Sequence, residues 1–357
     1  MSDSPIRVLH FANSLGLGGT AKVLQLFVTN LDRTRFRPAV YCPNDGERAE
    51  QLRAHGIDTY IRSDLITVLD KFQPHIAHVH RAGWPEPEML LPLKMAKTPV
   101  VVETNIFGRL DPSPLASIID RTLFVSEFCM GRYAITNDIQ ARPPRYSFLY
   151  NPVDTDFFEK KSKSDRDFSR PIAGRISRAD PGKWSSMALD ILPILARDIP
   201  DFRYNVIGGI PEAFDFVRDN NLERNVVFFD QVQTDAEIVD FMNSISLLAH
   251  ANDTGESFGL VIAEAMACGL PVVTHPCQGL KDNAQLELVD HNITGLVATN
   301  TEDYAAAIKY LFTHPDEARR MGEAGQKKAA HFYRAQTVTN QLEKIYLELL
   351  MSKGITI

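Results

Sequence analysis

Short apolar runs alternate with amphipathic stretches along nearly the whole chain. Arg7-Val8-Leu9-His10-Phe11-Ala12 reads as a first strand. A glycine-rich turn follows, then a helix from about Ala21 to Asn30 patterned by Val23, Leu24 and Phe27. Further strands are predicted at Pro38 to Cys42, His75 to His80, Pro99 to Thr104, Thr122 to Ser126 and Tyr146 to Tyr150. Strands that alternate with helices in this way form βαβ units and a parallel sheet. Their right-handed crossovers place helices on both faces.

The alternation stops at Asp156 to Arg170, a polar and charged stretch read as the link between two domains rather than as a basic patch. A second series starts at Pro171-Ile172-Ala173-Gly174 and continues with strands at Phe202 to Gly208, Asn225 to Phe229, Ser246 to His250 and Pro271 to Thr274. A helix near Glu256 to Cys268 is closed by Gly269 and Pro271, a common helix stop. Two or three helices finish the chain from Glu302, the last at about Thr337 to Met351 with Leu342, Ile345, Leu347 and Leu350 as its apolar stripe. The expected class is therefore α/β, with two Rossmann-like doubly wound domains at 1–160 and 170–334. Ligands of such sheets lie at the carboxyl ends of the strands.

Composition narrows the function. At 357 residues the chain suits two domains. A net charge of -7 argues against a nucleic-acid binder. No apolar run approaches the ~20 residues of a spanning helix, and Met1 to Pro5 lacks a signal-peptide layout. The four cysteines are scattered, with no CxxC pair, so they read as reduced cytosolic thiols, with Cys268 in the core. The expected compartment is the cytoplasm.

Chemistry concentrates at Glu256-Ser257-Phe258-Gly259-Leu260-Val261-Ile262-Ala263-Glu264. Eight helical steps rotate ~80° past two turns, so the two acids share no face if both are helical. With Glu256 in a turn and Glu264 two turns into the helix, both could accept hydrogen bonds from hydroxyls at two places on one ligand. The free amides at Ser257 to Leu260 would face an anionic part between them. The plain alternative is a helix with two solvated acids, against which Glu264 stands in an apolar setting.

This stretch resembles the paired-glutamate motif of retaining GT-B glycosyltransferases, family 4 in particular. The resemblance implies that Glu256 contacts the donor sugar, that Glu264 holds the ribose, and that the amides of Ser257, Phe258, Gly259 and Leu260 hold phosphate and sugar. It implies two domains facing across a cleft, with the final helix, within 335–357, crossing back to brace the first. Gly174-Arg175-Ile176-Ser177-Arg178-Ala179-Asp180-Pro181-Gly182-Lys183 is similar to the family's arginine and lysine segment, though with a longer insert. Arg175 and Lys183 are its catalytic cations, with Arg178 as the rival lysine position; a basic surface loop is the plain alternative. Such cations clamp a diphosphate and stabilise its charge as it leaves. Gly16-Leu17-Gly18-Gly19-Thr20 also fits a dinucleotide fingerprint weakly, but the resemblance places Gly18 and Gly19 opposite the donor phosphates.

Two features depart from the family. Asn105 stands where many members have a histidine beside the reacting sugar, with His80 as a second acceptor-side candidate. Gln278-Gly279-Leu280-Lys281 replaces a usual glycine pair. The expected function is metal-independent, retaining transfer of a sugar from a nucleotide-sugar donor, UDP- or GDP-linked, to a glycan, lipid-linked or small-molecule acceptor, with no cofactor. The alternatives are a non-catalytic nucleotide-sugar-binding or partner module, a GT-B epimerase or phosphorylase and, more distantly, an NAD dehydrogenase. Many relatives work at the inner membrane face, so Arg33, Arg35, Arg37, Arg142 and Arg145 are read either as a peripheral lipid contact or as ordinary solvated surface.

Overall fold

The structure is a computed structural model that describes residues 5–355. Residues 1–4, most of the stretch read as lacking a signal-peptide layout, and 356–357, the end of the expected 335–357 segment, lie outside the described residues. The chain divides into two compact units: one up to Val153 together with the segment from Ala335, the other Asp154–Arg334.

The first unit holds seven strands: β1 (Ile6–Phe11), β2 (Phe36–Cys42), β3 (Asp58–Ile61), β4 (Ile76–Arg81), β5 (Val100–Asn105), β6 (Arg121–Phe124) and β7 (Tyr146–Phe148). They form one sheet in the order β3-β2-β1-β4-β5-β6-β7, with every ladder parallel. Helices α1 (Gly19–Asn30), α2 (Arg48–Ala54), α3 (Leu65–Phe72), α4 (Pro87–Met95) and α5 (Glu127–Asn137) supply the crossovers. Local chemistry starts them: Asp64 accepts from the Thr67 amide at 2.9 Å and Ser126 from the Cys129 amide at 3.0 Å, each satisfying a free donor of the first turn. One apolar core lies under α3 and α4 (Leu69, Val79, Leu90), another under α1 and α2 (Leu24, Val28, Leu52).

The second unit opens with α6 (Thr155–Lys161). Its sheet contains β8 (Ile172–Ile176), β9 (Arg203–Ile207), β10 (Val226–Phe229), β11 (Leu247–Ala249), β12 (Val272–Thr274) and β13 (Gly295–Val297), in the parallel order β10-β9-β8-β11-β12-β13. Around it lie α7 (Met187–Asp198), α8 (Pro211–Asp219), α9 (Asp235–Ser244), α10 (Leu260–Ala267), α11 (Gln285–Leu288), α12 (Thr301–Thr313) and α13 (Pro315–Phe332). The core is built from Leu192, Leu195, Tyr204, Leu247, Tyr304 and Ile308. Then α14 (Ala335–Ser352) returns to the first unit, where Val338, Leu342, Tyr346, Leu349 and Leu350 are buried.

The structure adjusts several expectations. The unit boundary precedes the polar stretch expected to be a linker. Asp154 caps α6 there, accepting from the Phe157 amide, and Phe158 is buried in the second unit, with its carbonyl 3.9 Å from Cys268 Sγ. Strands β3 and β13 were not expected; each is a short edge strand. The buried stripe of α14 runs through Tyr346, whereas Ile345 and Leu347 are only half-buried. All four cysteines are buried and none is in a disulfide.

Candidate active site

The second sheet reverses its strand order between β8 and β11, the place where doubly wound sheets hold ligands beyond their strand ends. The chain leaving β8 turns at Pro181–Lys183, where the Asp180 carboxylate accepts from the Gly182 amide at 2.9 Å. Trp184 then anchors the loop by donating its indole N–H to Gly208 O at 3.0 Å, at the end of β9. The chain leaving β11 passes through His250, Asn252 and Thr254 to Glu256. Thr254 Oγ1 ties the two loops together by donating to Gly182 O at 2.9 Å. Gly255 lies at φ +72°, where a Cβ would fall 1.6 Å from Asp282 O, so only glycine fits. Gln285 Oε1 accepts from the Glu256 amide at 3.1 Å, and the Glu256 carbonyl accepts from the Ala284 amide at 2.9 Å.

That frame brings Lys183 and Glu256 together. Lys183 Nζ lies 3.1 Å from Glu256 Oε1 and 3.3 Å from Oε2. Asn252 Nδ2 donates to Oε1 at 2.7 Å, and His250 Nε2 is 3.4 Å away. Burial alone would raise the Glu256 carboxyl. The hydrogen bond to His250, its charge and the Lys183 ammonium outweigh that and bring it down to about 2. Glu256 is thus a carboxylate at any working pH.

Arg175 takes a different place from the one expected beside Lys183. It is fully buried in β8, donates Nη1–H to Ala251 O at 2.6 Å and Nη2–H to Lys183 O, and lies 4.2 Å over the Trp184 ring. Its guanidinium is occupied by the main chain of both loops, so it supports Lys183 from beneath instead of sharing its face. Arg178, the rival, is exposed and 4.0 Å from Asp180.

The helix after Glu256 starts later than expected, at Leu260, with Gly259 as N-cap at φ +101°. Glu264 is therefore just over one turn into α10, and it is buried. The amides of Leu260 and Val261 precede the first helical hydrogen bonds of α10, which run from Ile262 and Ala263 to Gly259 O at 3.0 and 3.2 Å. Ser257 Oγ donates to Asp282 Oδ2 at 2.8 Å, and Phe258 packs edge-on against Tyr333 at 5.3 Å. The sequence shows no D-x-D at a strand end with further ligands nearby. In Asp154-Thr155-Asp156, Asp154 caps α6 and Asp156 pairs with Arg334 at 2.8 Å.

In the first unit, Gly18 and Gly19 open α1 and are exposed, and a Cβ on Gly18 would meet nothing within 4 Å. The two acceptor-side candidates are interior. Asn105 donates to Arg109 O at 2.8 Å and accepts from Arg109 N at 3.2 Å, so its amide holds a loop. His80 belongs to a buried chain: Thr104 Oγ1 to His78 Nε2 at 2.8 Å, His78 Nδ1 to the Tyr346 hydroxyl at 2.6 Å, that hydroxyl to His10 Nε2 at 3.4 Å, and His10 Nδ1 to His80 Nε2 at 3.1 Å. The three imidazoles bring ring nitrogens within 4.8 Å of one another, a spacing that could hold a metal ion, but both nitrogens of His78 are taken by Tyr346 and Thr104. Of the basic surface residues, Arg33 donates to Gly56 O, Arg35 faces Glu343, Arg37 pairs with Asp58 and Arg145 donates to Ile119 O and Ala116 O. No helix among the described residues is long and apolar enough to cross a membrane.

Residues 156–328 match the family described as glycosyl transferases group 1. The matched segment, just under half of the chain, contains Arg175, Lys183, His250, Glu256 and Glu264. Among curated proteins, the chain is 28% identical over 155 residues to N-acetyl-alpha-D-glucosaminyl L-malate synthase of Bacillus anthracis, covering 42% of this chain and 38% of that protein. It is 28% identical over 284 residues to a GDP-mannose-dependent alpha-(1-6)-phosphatidylinositol monomannoside mannosyltransferase of Mycobacterium tuberculosis, covering 74% of this chain and 66% of that one. The matches thus span from about a third to two thirds of those relatives. Among solved structures, HepE of Anabaena in complex with UDP and glucose superposes at TM-score 0.76 with 19% identity, covering 96% of this chain and all of that one. A glycosyltransferase of Rickettsia africae superposes at 0.79 with 17% identity, covering 97% of this chain and 99% of that one. These likenesses show the fold, which is GT-B.

The sequence reading missed His250, Asn252, Trp184 and Gln285. His250 follows directly on β11, so the rule that strand ends carry function was the signal that pointed to it.

Proposed function

We propose that the chain transfers a sugar from a nucleotide diphosphate sugar to an acceptor hydroxyl, with the donor bound at the β8 and β11 strand ends. The observation that carries this is the Lys183–Glu256 pair, set beside the start of α10 and held by two interlocked loops. Lys183 takes up the charge of the departing diphosphate, and Glu256 accepts a hydroxyl of the donor sugar. The donor thereby replaces their mutual contact. The first-turn amides of α10 receive phosphate oxygens, and Glu264 receives the ribose. Arg175 holds the Lys183 main chain.

In the step itself, the bond from the anomeric carbon to the diphosphate oxygen breaks and its electron pair leaves with the diphosphate. The acceptor oxygen bonds to the same carbon and its proton passes to the leaving oxygen. Attack on the same face from which the diphosphate departs gives retention of configuration. Lys183 fills the cationic role, so the reading needs no metal. UDP or GDP is the inferred carrier: HepE is described with UDP and glucose, and the mycobacterial relative is named GDP-mannose-dependent.

Product analysis with UDP- and GDP-sugars, with and without acceptors, tests the reading. Wild type is expected to release nucleotide and form glycoside, and Lys183→Ala to lose at least 100-fold in kcat, the scale seen when one charge-stabilising donor is removed. Unchanged turnover in Lys183→Ala would refute the assignment.

A further inference from the structure

Beyond the ends of β4 and β5, the first unit carries a group that none of the roles above uses. Arg81, fully buried, donates to Glu103 Oε1 at 2.7 Å, to Asp111 Oδ2 at 3.0 Å and to Trp84 O at 2.6 Å, and lies 3.7 Å from Glu86. Glu86 in turn accepts from Asn13 Nδ2 at 2.8 Å, and Glu103 from Thr122 Oγ1 at 2.8 Å. One buried cation therefore fixes the loop after β4, through Trp84 and Glu86, and the loop after β5, through Asp111. Asn105 clamps the second loop again through both backbone groups of Arg109. The two loops interlock at Gly83, at φ +94°, where a Cβ would lie 2.5 Å from Arg109 O and from Asn105 Nδ2.

This rigid frame presents Arg109 over the Trp84 ring at 4.1 Å, with both side chains exposed. Arg109 makes no side-chain hydrogen bond or ion pair among the described residues. A buried ion cluster repays its desolvation poorly as a source of stability, and its best-attested use is to fix geometry. Here the geometry it fixes is a guanidinium held on an aromatic face, at the strand ends where a doubly wound sheet takes its ligand. The planar fork of arginine suits a carboxylate or phosphate, and the indole offers a flat face to a ring.

We infer that Trp84 and Arg109 form the acceptor subsite, and that the acceptor is a small hydroxylated molecule carrying an anionic group, carboxylate or phosphate. The assignment rests on the transfer reading for the word acceptor; anion binding stands apart from it. The probes are myo-inositol 1-phosphate and L-malate as anions, with myo-inositol as the neutral control. Trp84 fluorescence, taken as the difference between the chain and Trp84→Phe, is expected to change saturably with at least one anion and not with inositol. That response should identify phosphate or carboxylate as the preferred group and weaken at least tenfold in Arg109→Gln. In transfer assays, the preference in kcat/KM for the anionic over the neutral acceptor should exceed tenfold in wild type and collapse in Arg109→Gln. Transfer to neutral acceptors alone, with no Trp84 response to either anion, overturns the inference and leaves the transfer reading intact. A Trp84 response lost in Arg109→Gln, without transfer to any acceptor, supports the anion site and removes the transfer reading.

Discussion

At the scale of single residues, the site depends on which groups are free and which are committed. Lys183 and Glu256 face each other and can each be released to a ligand, whereas Arg175 is committed to the carbonyls of Ala251 and Lys183. Arg175→Leu leaves those carbonyls without their charged donor, which should cost about 3 kcal/mol and lower the melting temperature measured by circular dichroism. If Arg175→Leu melts like wild type yet loses nucleotide affinity, Arg175 touches the ligand directly and the supporting role is wrong. Glu264 was legible because it stood in an apolar helix pattern, whereas Arg175, Lys183 and Glu256 were legible through the family resemblance. Their division of labour was not, because the direction of a guanidinium depends on carbonyls 8 and 76 residues away in the chain.

At the scale of elements, several close approaches hold the second unit's helices in place. Along α13, Gly322 passes so near Gly269 O that a Cβ would sit 2.1 Å from it. Gly322→Ala should therefore push α13 away from the C-terminus of α10 and cost about 1–3 kcal/mol, read as a lower urea midpoint with an unchanged slope; a midpoint within error of wild type would show the contact to be slack. The long helices were legible because burial repeats with the helix period, as at Val23, Leu24, Phe27 and Val28 of α1. Strands β3 and β13 were not, since edge strands of three or four residues with mixed polarity carry too few positions to show alternation. The start of α10 was misplaced for a related reason: Ser257-Phe258-Gly259 looks helical by composition, but Gly259 at φ +101° begins the helix one residue later.

At the scale of the whole molecule, pH is the lever that the buried histidines provide. His10 and His78 lie well below their ordinary value through burial and then neighbouring imidazoles, and burial takes His80 down to about 3. All three are neutral in the folded chain, while in the unfolded chain they take up protons near pH 6.5. Their contribution is thus complete above pH 6.5 and is lost as pH falls towards 3, at up to about 1.4 kcal/mol per pH unit for each histidine. Denaturant titrations between pH 7 and pH 5 should show stability falling in wild type and falling less steeply in His10→Phe; parallel slopes would mean that the cluster is not buried neutral. That both sheets are parallel was legible from the alternation of strands and helices, and the return of α14 to the first unit had been expected only from the family resemblance. The central claim concerns the strand ends of the second unit, and isothermal titration calorimetry with UDP and GDP tests it most directly. One of the two is expected to bind wild type, and Lys183→Ala to weaken that binding at least tenfold, about 1.4 kcal/mol. No binding of either nucleotide, or equal affinity in wild type and Lys183→Ala, would contradict it.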